Sequence, residues 1–419
     1  MRGLALYWDR RMLAIGLMGF ASGLPFPLTA GTLMYRLSDA GLEKTEIGLF
    51  ALTGLPYALK FLWAPAVDAL RLPLLGALGQ RRSWILAAQL GLVLAFLGLG
   101  LSDPAAHPLV TAGWALALAL LSATQDVAVD AYRIEVLEER EQGAGAAATQ
   151  TGYRLAMLCS AAGALALSDF APWPLVFAAL AVLLALGMLG VAIGPEPAVR
   201  RSDDGAPLAA RLRRAVIDPL RELALLPHFV VILAFAVLYK YGDAIAGVMA
   251  NPFYRELGFS GVEIASASQV PGLVASIGGV VAGGWLVARL GTIGALVWGG
   301  IAQAATNLMF VALAWAGHDV SLLVAAVVVD SFAGGLASSA FVAFLSNLCS
   351  PGAAATQYAV LTSLMAAGRT ALSGGAGWLA QQLGWPAFFA TTTLLAAPGL
   401  LLLWWLASRR SGAAARTTS

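Results

Sequence analysis

Charge is what this sequence has least of. Asp, Glu, Lys and Arg make up 11% of its 419 residues, against about 25% in a soluble globular protein. With 59% hydrophobic residues and a mean hydropathy of +0.80, too little polar surface remains to face water, which excludes a soluble domain and leaves a polytopic membrane protein. Histidine is nearly absent: His107, His228 and His318 all fall at span ends or in loops, which argues against a histidine relay through the membrane. The two cysteines, Cys159 and Cys349, form neither a CxxC nor a CxxxH spacing, so no zinc or thiol redox centre is suggested. There is no Walker A sequence, metal cluster or nucleophile elbow, and Gly143-Ala144-Gly145 precedes a span instead of following the strand that a dinucleotide loop needs. These absences argue against an ATP-driven pump, and no cofactor or metal is expected. The formal net charge of +2 offers no basic field for nucleic acid.

What is present is a series of apolar runs. At about 20 residues per span, twelve helices are predicted, starting near residues 12, 46, 83, 110, 146, 173, 228, 262, 292, 321, 354 and 386. The first run continues past Gly23 and Pro25 towards Tyr35, which makes it an uncleaved span and not a secretory signal. Asp103-Pro104, Ala171-Pro172-Trp173-Pro174, Asn251-Pro252 and Trp385-Pro386 mark breaks between spans. The one long polar stretch, Pro195 to Pro227, divides the chain into a bundle over 1–194, a linker over 195–227 and a bundle over 228–419. Within it, Pro207 to Glu222 is read either as an amphipathic helix on the membrane surface or as a loose linker. Lys and Arg concentrate on the side holding both termini and this linker, with only Arg36, Lys44 and Arg255 in loops opposite; both termini are therefore expected in the cytoplasm. A repeat supports two related halves: Ala146-Ala147-Ala148-Thr149-Gln150 opens span five and Ala353-Ala354-Ala355-Thr356-Gln357 opens span eleven, each followed by a Trp-Pro, Trp173-Pro174 and Trp385-Pro386. An all-α protein of two six-helix halves is the build of the major facilitator fold.

Ionisable residues inside spans are costly in hydrocarbon and usually face a cavity or a partner. Eight are predicted there: Lys60, Asp126, Asp130, Arg154, Lys240, Asp243, Asp330 and Arg369. Counting from span ends at 1.5 Å per residue puts Lys60, Asp126 and Arg154 at one depth, roughly 10–12 Å from the cytoplasmic edge. Asp130 lies one turn from Asp126 on the same face, and two carboxylates that close in a low-dielectric site resist simultaneous ionisation. These four are the candidate proton-coupling residues, with an ion cluster locking three helices as the competing account. In the second half, Lys240 and Asp243 are i,i+3, Tyr239 and Tyr241 flank the lysine, and Asp330 and Arg369 lie within later spans. With Tyr57, Gln125, Tyr153 and Gln269 they form the candidate substrate contacts, cations for carboxylates and amides or rings for a polar solute. Gly278-Gly279 and Gly283-Gly284 have the small-xxx-small spacing of close helix packing.

Several stretches are familiar together: Gly19-Phe20-Ala21-Ser22-Gly23-Leu24-Pro25, Gly54-Leu55-Pro56-Tyr57, Lys60-Phe61-Leu62-Trp63-Ala64-Pro65, Arg81-Arg82-Ser83-Trp84, Gly152-Tyr153-Arg154 and Leu238-Tyr239-Lys240-Tyr241-Gly242-Asp243. The most specific is Ser122-Ala123-Thr124-Gln125-Asp126-Val127-Ala128-Val129-Asp130-Ala131-Tyr132-Arg133. The chain resembles the AmpG family of muropeptide permeases within the major facilitator superfamily over nearly its whole length. That resemblance implies a proton-coupled importer of 1,6-anhydromuropeptides, from periplasm to cytoplasm, in a Gram-negative inner membrane. The implied partners are the muropeptide, protons and the lipid bilayer, with the chain a monomer and not an enzyme. Asp68 stands further from Arg81-Arg82 than in the superfamily's inter-span loop signature. The alternative is a related branch resembling acetyl-CoA transporters or another carrier of anionic metabolites. A membrane-embedded transferase is a remoter class, which would carry acidic or histidine motifs in an extramembrane loop; none is evident.

Overall fold

The computed structural model describes residues 9–29, 31–42, 46, 49–73, 75–198, 208–373 and 375–417. Among the described residues there is helix and no strand, as hydrocarbon requires of a chain whose peptide groups must be satisfied within their own segments. Among the described residues, eight helical runs are long and apolar enough to cross a membrane. One of them, Val270–Ala316, is 47 residues long and bends at Gly291, where φ is +73°, a conformation open to glycine and strained for other residues. In the expected spans near residues 46, 146 and 354 the described residues are also largely helical, but the helices are broken or polar and so fall outside a count based on length and apolarity. The architecture is the all-α, twelve-helix fold of two six-helix halves.

The chain forms two compact units, and the first combines Met1–Glu222 with Ser346–Ser363. Its helices include α1 (Arg10–Gly23), α2 (Gly31–Asp39), α3 (Leu55–Leu59), α4 (Ala64–Ala69), α5 (Gln80–Leu101), α6 (Pro108–Val136), α7 (Gln142–Leu158), α8 (Trp173–Ile193) and α9 (Leu208–Leu225). Prolines open α6 and α8, at positions whose missing N–H has no intrahelical partner to lose. Helices α1 and α7 cross with their backbones in contact: a Cβ added to Gly19 would lie 2.5 Å from the Thr149 carbonyl oxygen, and one on Gly152 would strike that of Gly16. Phe96, Leu99, Leu118, Phe177 and Leu184 fill the core between the long helices.

Arg36, counted above among the loop cations, is instead buried in α2 at 3% exposure. Its guanidinium donates to the carbonyls of Leu99 (2.5 Å), Gly100 (3.3 Å) and Ser102 (2.6 Å). It therefore caps the end of α5, where helix carbonyls lack partners and the macrodipole favours a cation.

The second unit, Leu223–Leu345 with Leu364–Ser419, contains α10 (Phe229–Leu238), α11 (Tyr241–Glu256), α12 (Leu273–Ala316), α13 (Val320–Ser346), α15 (Trp385–Leu395) and α16 (Ala397–Thr417); α14 (Ala354–Ser373) begins in the first unit and ends in the second. Helices α12 and α13 meet through the expected glycines, a Cβ on Gly283 falling 2.5 Å from the Leu336 carbonyl oxygen. An aromatic core of Phe253, Phe310, Phe388 and Phe389 includes an edge-on pair, Phe253 and Phe389, with ring centroids 4.7 Å apart. Helix α9 is the amphipathic segment of the linker, and residues 199–207 lie outside the described ones.

Candidate functional site

Helix α6 carries most of the first unit's chemistry. Beside it the second span is interrupted: α3 ends at Leu59, a tight turn covers Lys60–Leu62, and α4 restarts at Ala64 with Pro65 in its first turn. Trp63 holds this break against α6, its indole N–H donating to Thr124 Oγ1 at 3.1 Å. The break places half-buried Lys60 where its charge acts on Asp126 together with that of Asp130, and the Ser22 hydroxyl faces the same carboxylate. Asp126 Oδ1 itself is buried and makes no hydrogen bond among the described residues. The charge of Asp126 reaches Tyr57 and Tyr153, so five of the expected residues share one locality. Arg154, next to Tyr153 on α7, is half-buried. Gln125 turns the other way: it is fully buried, and its Nε2 donates to Ser22 Oγ at 3.2 Å between α6 and α1.

A second, denser network closes one end of α6. Arg81, fully buried, pairs with Asp68 Oδ1 and Glu135 Oε1, both at 2.6 Å. The Asp68 carboxylate also accepts from the N–H groups of Ala355 (3.3 Å) and Thr356 (2.8 Å) and from Thr356 Oγ1 (2.6 Å), an anion seated at the start of α14 where free N–H groups and the dipole favour it. Glu135 accepts from Gly352 N–H at 3.1 Å. Arg133 spreads over Gln142 (3.2 Å), Ser346 (2.9 Å) and Asp130 (3.4 Å), its guanidinium over the Tyr358 ring. Gln357 accepts from Ser350 N–H and donates to Glu222 at 2.9 Å and to the Pro219 carbonyl at 3.3 Å, tying α9 to the same segment. The greater spacing between Asp68 and Arg81 in sequence is taken up by a turn, so the pair still forms.

In the second unit the helix also breaks at a lysine. α10 ends at Leu238, Lys240 adopts φ −109° and ψ 16°, and α11 starts at Tyr241 with Asp243 in its first turn. Such interruptions are tolerated in membrane helices where polar groups face protein or an aqueous space. Lys240 Nζ donates to Ser338 Oγ at 2.6 Å, and its charge acts on both Asp243 and Asp330. Asp330 Oδ1 lies 2.8 Å from Thr306 Oγ1 and 3.3 Å from Gln303 Nε2. Tyr239 is buried, its hydroxyl donating to the Leu296 carbonyl at 2.8 Å; Tyr241 donates to the Leu372 carbonyl at 3.4 Å. Arg369 is exposed, and the Gln269 side chain lies outside what the structure describes. Among the described residues no group of three His, Cys, Asp or Glu side chains is placed to hold a metal.

Sequence reasoning missed Glu135, Thr356, Gln303 and Thr306. Glu135 had a signal, since it is one of few acids near a span end, two residues beyond Arg133. The others are uncharged residues in apolar helices and give no sign of their partners in sequence.

The chain matches the Major Facilitator Superfamily over residues 11–372 and 237–419. It is 37% identical over 388 residues to the "Anhydromuropeptide permease" of Escherichia coli strain K12, covering 92% of this chain and 77% of that protein. It is 32% identical over 389 residues to the "Putative transporter AmpG 4" of Rickettsia felis, covering 92% and 93%. Among solved structures, the Escherichia coli fucose:proton symporter FucP superimposes with a TM-score of 0.69 at 12% identity, covering 96% of this chain and 98% of that one. The proton:xylose symporter XylE gives 0.67 at 11% identity, with coverage of 96% and 95%. At that identity the two symporters speak for the fold alone.

Proposed function

This chain belongs to the AmpG-like permease family of the Major Facilitator Superfamily, and from that premise we propose that it imports 1,6-anhydromuropeptides from periplasm to cytoplasm, driven by entering protons. As a family member it is a multi-pass secondary transporter and not an enzyme. The substrate class rests on the sustained similarity to an anhydromuropeptide permease. The inner membrane, cytoplasmic termini and monomeric state belong to the same proposal, as does the division into bundles over 1–194 and 228–419 joined by 195–227.

The chemistry of the candidate residues supports the reading. A muropeptide brings hydroxyls, amides and carboxylates, and Lys240, Tyr241, Asp243 and Arg369 are suited to them. Asp330, Tyr239, Gln269, Tyr57, Gln125 and Tyr153 are the remaining candidate contacts. Gln125 and Tyr239, both buried in helix packing, would act by positioning helices, not by touching the solute. Asp126 is the favoured proton carrier: it is half-buried, one of its oxygens makes no hydrogen bond among the described residues, and Lys60 offers a counter-charge when the proton leaves. Asp130 pairs with Arg133 at 3.4 Å, and Arg154 completes the set. The Asp68 network would then hold residues 346–363 against the rest of the first unit and release them during the cycle.

Uptake of labelled anhydromuropeptide into proteoliposomes, with and without an inward proton gradient, tests the proposal. Accumulation that requires the gradient is expected; no uptake of this solute under either condition removes the substrate assignment. Lys240→Met should weaken binding of peptide-bearing sugars by about tenfold, the loss of one charge-assisted contact of roughly 1.4 kcal/mol. The bare disaccharide should bind unchanged, and equal losses for both would make Lys240 structural.

A further inference from the structure

Thr306 stands between two oxygens with one proton to give. It lies on α12 in a polar row, Gln303, Thr306 and Asn307, whose i, i+3, i+4 spacing puts the three on one face. Its Oγ1 is 2.8 Å from the backbone oxygen of Gln303 and 2.8 Å from Asp330 Oδ1. A hydroxyl donates once. If Asp330 is ionised it has acceptors only, so one of the two contacts brings oxygen against oxygen at hydrogen-bond distance with no proton between them.

The neutral acid removes the conflict. Asp330 then donates from Oδ1 to Thr306 Oγ1, and Thr306 donates on to the Gln303 carbonyl, whose two lone pairs also serve the helix. Each bond in such a chain polarises the next. The hydroxyl oxygen of the acid still accepts from Gln303 Nε2 at 3.3 Å. Charge balance agrees. The titratable groups facing Asp330 are Lys240, Asp243 at the start of α11 and Tyr254 further along it. One lysine serves two carboxylates, so one proton on the pair makes the group neutral. Asp330 is only half-buried, which leaves it a route for exchange.

We infer that Asp330 is a second proton-exchanging acid, seated in the second unit and held in its neutral form by the Thr306–Gln303 carbonyl relay. This moves Asp330 from substrate contact to proton handling, and its role in uptake rests on the transport reading above, whereas its protonation does not. Proton coupling would then be divided between Asp126 and Asp330, one acid in each unit.

Infrared difference spectra of the purified full chain in lipid nanodiscs, recorded in the absence of substrate across an acid-to-alkaline titration, test the protonation directly. The expected result is a deuterium-sensitive carboxylic-acid C=O band that disappears in Asp330→Asn, persists in Asp126→Asn, shifts in Thr306→Val and is restored in Thr306→Ser. A band unchanged by both Asp330→Asn and Thr306→Val, or no such band in the unmodified protein, overturns the inference. Thr306→Val keeps the carboxylate in place, so the inference stays testable if Asp330→Asn fails to fold. Proteoliposome uptake separates the two claims: a band assigned to Asp330 with no muropeptide uptake sinks only the substrate reading, and proton-driven uptake without the band sinks only the second proton site.

Discussion

Two neighbouring stretches of α6 treat their charges in opposite ways. At one end Arg81, Asp68, Glu135 and the start of α14 bond to one another until nearly every polar atom has a partner. A few turns away Asp126 keeps an oxygen without a hydrogen bond among the described residues, and the lysine and aspartate that act on it do so through their fields. A saturated network fixes geometry, because removing any member strands a buried charge. An unsaturated acid can change its protonation without tearing down its surroundings. The difference distinguishes a structural latch from a working group better than burial alone does.

The sharpest way to break this comparison is Arg81→Ala, which leaves Asp68 and Glu135 buried without their cation. A loss of about 3–5 kcal/mol is expected, read as a large drop in the thermal unfolding midpoint in detergent; a shift of a degree or two would mean that the network adds little rigidity. Thr356→Val removes one hydroxyl bond to the Asp68 carboxylate and leaves the backbone N–H in place. Its cost should be about 1.5–3 kcal/mol, as for a hydrogen bond to a charged group, and the same thermal assay decides it. Asp126→Asn should change stability by less than about 1 kcal/mol, as substitutions outside saturated networks do, while abolishing proton-driven accumulation and sparing substrate exchange. Undiminished uphill uptake by that variant would take Asp126 out of the mechanism, and Asp130→Asn in the same assay separates the two aspartates.

The smallest effect belongs to Asp9, at the start of α1 outside the hydrocarbon. Its carboxylate accepts from Arg11 N–H at 2.8 Å and pairs with the Arg11 guanidinium at 2.7 Å. These contacts, the side-chain bond to Arg11 first, hold it below the usual carboxylate range. A depressed folded-state value means the stabilisation is present above the unfolded value of about 3.9 and is lost as pH falls through the folded one. Asp9→Asn should therefore cost a few tenths of a kcal/mol near neutral pH, given partial exposure and screening. The gap from the unmodified protein should narrow as the pH drops from about 5 to about 3; a gap that does not change with pH would leave only a neutral cap.

Much of this could be read in the sequence because hydrocarbon constrains it so strongly. Span count and the Gly283 contact follow from apolar length and side-chain size, whereas Asn251-Pro252, expected as a break between spans, lies inside α11. The Asp126 to Arg133 motif marked the working helix by its cost alone. The two helix breaks at Lys60 and Lys240 were not legible. Neither lysine is itself a breaker, and an estimate of depth from a regular rise assumes the continuous helix that Lys60–Leu62 interrupts. Arg36 was read as a loop cation because charge predicts solvent, whereas carbonyls at the end of α5 offered it a buried seat. The repeat is instructive in the same way. Ala146 to Gln150 lies inside α7, but Ala353 to Gln357 straddles the start of α14, so the same five residues supply Asp68 with free N–H groups in only one copy.

That last asymmetry bears on inheritance. The first unit is not encoded by one continuous stretch of gene: Met1–Glu222 packs together with Ser346–Ser363. An ancestral duplication can yield two interchangeable modules, yet here one module has come to depend on a strip of its sister's sequence. A gene fragment ending at Glu222 would place Asp68 and Glu135 in a membrane with Gly352, Ala355 and Thr356 missing. Recombination that exchanges whole halves between related permeases should therefore succeed only when the strip from 346 to 363 travels with the first half, which makes the crossover points in viable chimeras a record of this dependence.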